Sequence, residues 1–354
     1  MSQSSNKVFV LGAGFTRAFF PDAPLLVDYY DIDSLLKKYA EFDLAQRVLE
    51  SERERAEDGK INIERLLTRL DGMPYDREDA YLQFNSLKSD VHRVFQDRLN
   101  AATAKVKDFP DALKNFARYC VNNNITCITF NYDDALDKAL ALVTAEKPME
   151  GFFGEKYWHP DGGYGFFCQS SSSCIGETPM AHNVSTSMQL LKLHGSTNWR
   201  IKVGFAKPYP LGAIVHHERW RTKPVQGDLT EQAIESHLSG ERFIVPPVLG
   251  KSALEEPILL RIWGKARIAL RDAHDGVVFV GYSCPITDLA ASFLFSDTVP
   301  LKGSRVTVVN KAEDSKTKQY VKEVYQRLFP GMEESGFQFI DALKWAQDMT
   351  NHSV

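Results

Sequence analysis

Paired cysteines are missing from this chain of 354 residues. Its five cysteines, Cys120, Cys127, Cys168, Cys174 and Cys284, are odd in number and scattered. None forms a C-x-x-C pair, so neither a zinc ribbon nor a disulfide framework is indicated, and buried or incidental thiols are expected. Long apolar runs are missing too, for none approaches the ~18 residues that a bilayer span needs. The opening stretch from Met1 to Lys7 has no apolar signal core, and a cytoplasmic protein is expected. There is no excess of positive charge: 42 Lys and Arg against 46 Asp and Glu give a net charge of −4. That argues against broad nucleic-acid affinity, which needs a basic surface, though a local basic face stays open. Internal repeats and low-complexity tracts are also lacking.

What is present is ordinary for a globular protein, with 44% hydrophobic and 25% charged residues. The length exceeds the ~100–200 residues usual for one domain, so either two domains or one with large insertions is expected. Lys7 to Leu11 is a continuous apolar run ending in Gly12-Ala13-Gly14, which suits a strand buried on both faces. Four similar runs follow: Asn124 to Phe130, Met188 to Leu193, Gly276 to Val280 and Ser304 to Val309. Helices are predicted over Asp134 to Leu142, Ile258 to Asp272, Lys318 to Leu328 and Ala342 to Met349. From 32 to 119 charges are dense and apolar residues recur at helical spacing, as in Ile63, Leu66, Leu67 and Leu70 or Leu87, Val91, Val94, Phe95 and Leu99. The pattern predicts an α/β fold, a Rossmann-like doubly wound parallel sheet, as one domain over 1–354 with a helical insertion at 32–119. Residues 146–187, rich in Gly, Ser and aromatics, read as a loop or lid.

Each predicted strand ends in a small or polar cluster: Gly12-Ala13-Gly14, Asn131-Tyr132-Asp133, His194-Gly195, Gly281-Tyr282-Ser283 and Asn310. In open parallel sheets ligands bind outside the carboxyl ends of the strands, so these clusters are expected around one crevice. Gly12 to Thr16 supplies a tight turn into a helix, where backbone N–H groups can approach a pyrophosphate. Arg17 stands where the third glycine of a dehydrogenase fingerprint would be, which disfavours hydride transfer. Taken singly, each residue also has a plain structural reading. His194 can be a hydrogen-bonded structural histidine, Asn131 a turn former, and Asp133 and Asp134 helix caps. Ser283 and Asn310 have similar alternatives, and the adjacent His216 and His217 point to opposite strand faces rather than to one metal.

Together the clusters resemble the sirtuin-like domain family, whose members carry a G-A-G-x-[ST] loop, Asn-x-Asp, His-Gly, Gly-x-Ser and a strand-end Asn in this order. The chain departs from the protein-deacetylating members in lacking the zinc ribbon and in having Phe130 where they usually have Gln. Leu193-His194-Gly195-Ser196-Thr197-Asn198-Trp199 and Gly281-Tyr282-Ser283-Cys284-Pro285-Ile286-Thr287-Asp288 look like the bacterial branch that hydrolyses NAD in antiphage defence. The resemblance implies NAD+ as substrate, with no metal. Its pyrophosphate would lie over Gly12, Ala13, Gly14, Phe15 and Thr16, and its adenosine half near Gly281, Ser283 and Asn310. Asn131 would position ribose hydroxyls or water, His194 would take a proton, and Asp133 would orient Asn131 or the nicotinamide amide. It further implies a homo-oligomer, with a separately encoded ring ATPase or Argonaute-like protein as partner. Two other expectations stay beside it: a non-catalytic NAD or ADP-ribose sensor, and a zinc-less deacylase.

Overall fold

A computed structural model describes residues 6–72, 78–104, 109–145, 158–170, 186–206, 208–216, 238–245, 256–285, 288–299 and 305–351. The chain forms two compact units: Met1–Phe19, Lys107–Val245 and Ser252–Val354 make one, Phe20–Val106 and Pro246–Lys251 the other.

The first unit begins with β1 (Val8–Leu11) and α1 (Ala13–Phe19). The second is helical: β2 (Val27–Asp28), α2 (Ile32–Lys38), α3 (Asp43–Glu54), β3 (Ile61–Asn62), α4 (Ile63–Gly72) and α5 (Glu78–Ala104). Its core holds the residues whose spacing predicted the helices, among them Ile63, Leu66, Leu67, Leu70, Leu87 and Val91. The unit also carries an open cleft of about 530 Å³ beside Lys38, Tyr39 and Asp90. The buried Asp90 carboxylate there is already matched by Lys38, Arg93 and the Tyr39 hydroxyl, so the cleft offers a ligand no unsatisfied charge.

The first unit resumes with α6 (Asp111–Asn123), β4 (Thr126–Thr129), α7 (Ala135–Ala145), α8 (Pro160–Gly163), β5 (Gln169–Ser170), β6 (Leu190–Lys192), β7 (Gly195–Lys202), β8 (Ile214–His216) and β9 (Leu238–Ile244). It ends with α9 (Pro257–Arg271), β10 (Val277–Val280), α10 (Leu289–Thr298), β11 (Val306–Val309), α11 (Ser315–Leu328), β12 (Phe337–Gln338) and α12 (Ala342–Asn351). Local chemistry sets the boundaries. Pro257 opens α9, where its missing N–H costs nothing. Asp288 and Asp314 cap α10 and α11 by accepting from the Ala291 and Thr317 amides. Asn124, at φ +56°, turns the chain out of α6.

Six strands form one wholly parallel sheet in the order β12-β11-β10-β1-β4-β6. The chain runs outward from β1 through β4 to β6, returns to β10 on the other side of β1, and runs outward again. This is the doubly wound order, and its winding reverses between β1 and β10, at whose carboxyl ends sheets of this kind bind ligands. All four residues of β1 and of β10 are buried, as a sheet covered on both faces requires. Phe9 packs against Phe116 of α6 and Trp345 of α12. Phe279 lies beside Val10, one residue on, so it faces the other way and meets Phe295 of α10 and Tyr325 of α11.

A second, four-stranded sheet, β5-β8-β7-β9, was not expected from the sequence. Its strand β7 starts directly after His194, where the reading placed only a strand end. Residues 158–170 of the expected loop hold α8 and β5, and 146–157 and 171–185 lie outside the described residues. No helix among the described residues is long and apolar enough to cross a membrane.

Candidate active site at the carboxyl edge of the sheet

The glycine turn after β1 is built by the neighbouring strand. The Gly12 amide donates to the Val280 carbonyl at 3.0 Å, Gly14 donates to the Gly281 carbonyl at 2.9 Å, and Phe15 donates to the Gly12 carbonyl at 2.9 Å. A Cβ on Gly12 would stand 2.4 Å from the Tyr282 Cα, and one on Gly14 2.9 Å from the Gly281 oxygen. Gly281, at φ +60°, is equally constrained, since its Cβ would lie 2.2 Å from the Phe15 nitrogen. Close approach of two backbones at the winding reversal therefore explains these glycines, before any phosphate is considered. The Phe15 ring is buried against Phe19 and Phe116, each at 5.0 Å, so only its backbone belongs to the turn. Ala13 and Gly14 remain half-buried.

Asn131 and His194 leave adjacent strands side by side. Thr129 pairs with Lys192 across β4 and β6, and each site residue comes two positions later. The Asn131 Nδ2 donates to the Gly12 carbonyl at 2.8 Å and to the Thr16 Oγ1 at 2.9 Å. A carbonyl only accepts, so the amide nitrogen must face it. The half-buried side chain is thereby left with Oδ1 as the group open to a ligand. Thr16 passes the bond on, its hydroxyl donating to the Asp133 Oδ2 at 2.7 Å. The other Asp133 oxygen accepts from the Ala135 amide at 3.1 Å, a cap at the start of α7. Burial raises the Asp133 carboxyl above its ordinary range, opposed by the nearby Lys192 charge and the Thr16 hydroxyl.

Lys192, a buried cation in an otherwise apolar strand, extends this network. Its ammonium donates to the Asp133 carbonyl at 2.5 Å and to the Asp137 Oδ2 at 2.9 Å, with both side chains 1% exposed. The Tyr164 hydroxyl also donates to Asp137. Asn198 Nδ2 donates to the Tyr164 oxygen at 3.1 Å, and Ser196 donates to Asn198. A line of hydrogen bonds thus joins the glycine turn to the second sheet. Sequence reading missed Lys192, Asp137 and Tyr164; a lysine closing a predicted buried strand was the available signal.

His194 is buried among aromatic rings. Phe130 meets it edge-on at 5.3 Å, Tyr132 lies nearly parallel at 5.9 Å, and Trp263 stands at 6.5 Å. Its Nε2 is 3.7 Å from the Oδ2 of Asp288. Gly195 turns the chain at φ +77°, where a Cβ would meet the Phe243 carbonyl at 2.2 Å. After β10, Tyr282 stacks on Phe130 at 4.5 Å and its carbonyl accepts from the Tyr325 hydroxyl at 2.7 Å. Ser283 is exposed, Gly281 and Asn310 are half-buried, and the Asn310 amide donates to the Gln338 carbonyl at 3.1 Å. Cys284 takes φ +48°, rare for a residue with a Cβ. Burial, with Asp288 adding, pushes its thiol up to about 12, which keeps it protonated and non-nucleophilic at neutral pH. Cys120, Cys127 and Cys168 are also buried free thiols.

Among the described residues no group of three or more His, Cys, Asp or Glu is arranged to hold a metal ion. No family model and no curated protein matches the chain. Among solved structures it is similar to a Sir2 homologue determined in complex with NAD, at 12% identity and TM-score 0.43, over 98% of this chain and 88% of that one. It is also similar to a structure described as the basis for the mechanism and regulation of Sir2 enzymes, at 11% identity and TM-score 0.41, over 99% and 92%.

Proposed function

We propose that this protein binds NAD+ in the crevice at the carboxyl edge of its parallel sheet and hydrolyses the nicotinamide–ribose bond. The observation that carries this reading is the amide of Asn131, pinned to the Gly12 carbonyl at the winding reversal and leaving the strand next to that of His194. Three amides of the glycine turn are occupied by Val280, Gly281 and Gly12. The phosphates would lie over the turn from Gly12 to Thr16, where the half-buried Ala13 carries no such bond, with the adenosine half toward Gly281, Ser283 and Asn310. Asn131 Oδ1 would accept from a ribose hydroxyl or from the attacking water. The C–N bond breaks with its electron pair on nicotinamide, which leaves neutral, and the sugar becomes an oxocarbenium. Water adds to that carbon and gives its proton to His194, so NAD+ and water yield nicotinamide, ADP-ribose and a proton. Positioning and charge stabilisation carry such a step more than strong acidity.

The setting we propose is antiphage defence by NAD depletion, as a homo-oligomer answering to a separate ring ATPase or Argonaute-like partner. Its support is the form of the stretches from Leu193 to Trp199 and from Gly281 to Asp288. The test is nicotinamide release from NAD by the purified protein, alone and with its genomic-neighbour protein, beside Asn131→Ala and His194→Ala. Release that both substitutions abolish is expected. Release that survives both removes the assigned site, and bound NAD without release turns the reading to a sensor.

A further inference from the structure

We infer that Asp288 is a positioning residue that holds His194 and favours its protonated form. Both side chains are 6% exposed, and Nε2 stands 3.7 Å from Oδ2. That spacing is an ion-pair distance, beyond direct hydrogen-bond range. The two residues lie 94 positions apart, at the ends of β6 and of the turn after β10, so nothing local forces them together.

The carboxylate has two tasks that its two oxygens separate. Oδ1 accepts from the Ala291 amide at 3.1 Å and caps α10. Oδ2 is the oxygen turned to His194. A cap alone needs no charge, since Asn and Ser cap as well as Asp. A charge is needed because the imidazole sits near the start of α10, whose dipole disfavours a cation there. Among the described residues the rings of Phe130, Tyr132 and Trp263 also pack around it. The Tyr132 hydroxyl donates to the Val245 carbonyl and the Trp263 Nε1 to the Leu193 carbonyl, each at 2.9 Å. Cys284, which faces Asp288, stays a neutral thiol at working pH. Asp288 is thus a charge that the fold sets against His194.

The catalytic use of this pair rests on the hydrolase reading above, whereas the pairing itself does not. The test is therefore a titration of histidine ring carbons by NMR in the full-length protein, with His194 assigned by the resonance that His194→Gln removes. Asp288→Asn and Asp288→Ser keep a cap acceptor and remove the charge, and unchanged melting temperature checks the fold. We expect the His194 pKa to fall by about 1–2 units in both variants. If the protein releases nicotinamide, the acid limb of its kcat/KM profile moves to lower pH by the same amount, and the plateau drops about 10²-fold. A His194 pKa within 0.3 units of wild type in the charge-free variants overturns the assignment, as does a ring that stays neutral throughout. A shifted pKa without nicotinamide release keeps the pair and removes the hydrolase.

Discussion

Gly14 and Gly281 meet backbone to backbone, the Gly14 amide donating to the Gly281 carbonyl at 2.9 Å where β1 and β10 end. A methyl group at Gly281 faces two penalties at once. Its φ of +60° disfavours a Cβ, and that Cβ would press on the Phe15 nitrogen at 2.2 Å. Gly281→Ala should therefore cost more than about 2 kcal/mol, the sum of backbone strain and a forced shift. Gly204 is the control, at φ +89° with nothing within 4 Å among the described residues. Gly204→Ala should cost about 1 kcal/mol. Urea unfolding of both variants measures the difference, and equal losses would show that the turn relaxes around the methyl.

The Lys192–Asp137 pair predicts a double-mutant result. Replacing Lys192 by Met leaves the buried Asp137 carboxylate with the Tyr164 hydroxyl and no cation. A loss of about 3–5 kcal/mol is expected. Lys192→Met with Asp137→Leu removes both charges and should recover at least half of that loss. The Asp133 carbonyl loses its lysine donor in both variants, which limits recovery. A double variant no more stable than Lys192→Met would mean that the pair is not coupled.

Much of the sheet was legible because its central strands are buried on both faces, which forces unbroken apolar runs such as Val8 to Leu11 and Val277 to Val280. Strand β12 has only two residues, Phe337 and Gln338, and so carries no period to read. Strand β7 was missed for another reason. Its Ser196, Thr197 and Asn198 are buried, and hydrogen bonds to Tyr132 and Tyr164 engage the Ser196 hydroxyl, the Thr197 backbone amide and the Asn198 side chain. The candidate residues at strand ends could be listed from their positions alone. Their partners could not: the contacts of Thr16 with Asp133, and of His194 with Asp288, close over 117 and 94 positions.

Asn131 predicts a charge-sensitive site. Its Nδ2 faces two oxygens, the Gly12 carbonyl and the Thr16 hydroxyl. In Asn131→Asp a carboxylate oxygen would replace that donor and oppose the Gly12 carbonyl, with no hydrogen to share. The side chain should swing away, and on the proposed hydrolase reading nicotinamide release should fall by at least about 10²-fold. Thr16→Val should weaken release less, because the Gly12 bond still holds the amide. Release rates at saturating NAD check the order, and a Thr16→Val loss as large as that of Asn131→Asp would reverse the assignment.

Asp133 gives a pH dependence with a defined sign. Burial is the largest influence on its carboxyl and raises it from the ordinary 3.8. Between 3.8 and the raised folded value, the folded chain holds more protons at this site than the unfolded chain. Stability from this group is therefore full below 3.8 and is lost as pH rises through the folded value. Asp133→Asn carries no such titration, so the stability of wild type minus that of the variant should decline across this window and be flat on either side. Each unit of separation corresponds to about 1.4 kcal/mol. Urea unfolding of both proteins at pH steps from below 3.8 to neutrality measures it. A difference that grows with pH would mean that Lys192 and the Thr16 hydroxyl outweigh burial, and that Asp133 works as a held carboxylate instead of a buried acid.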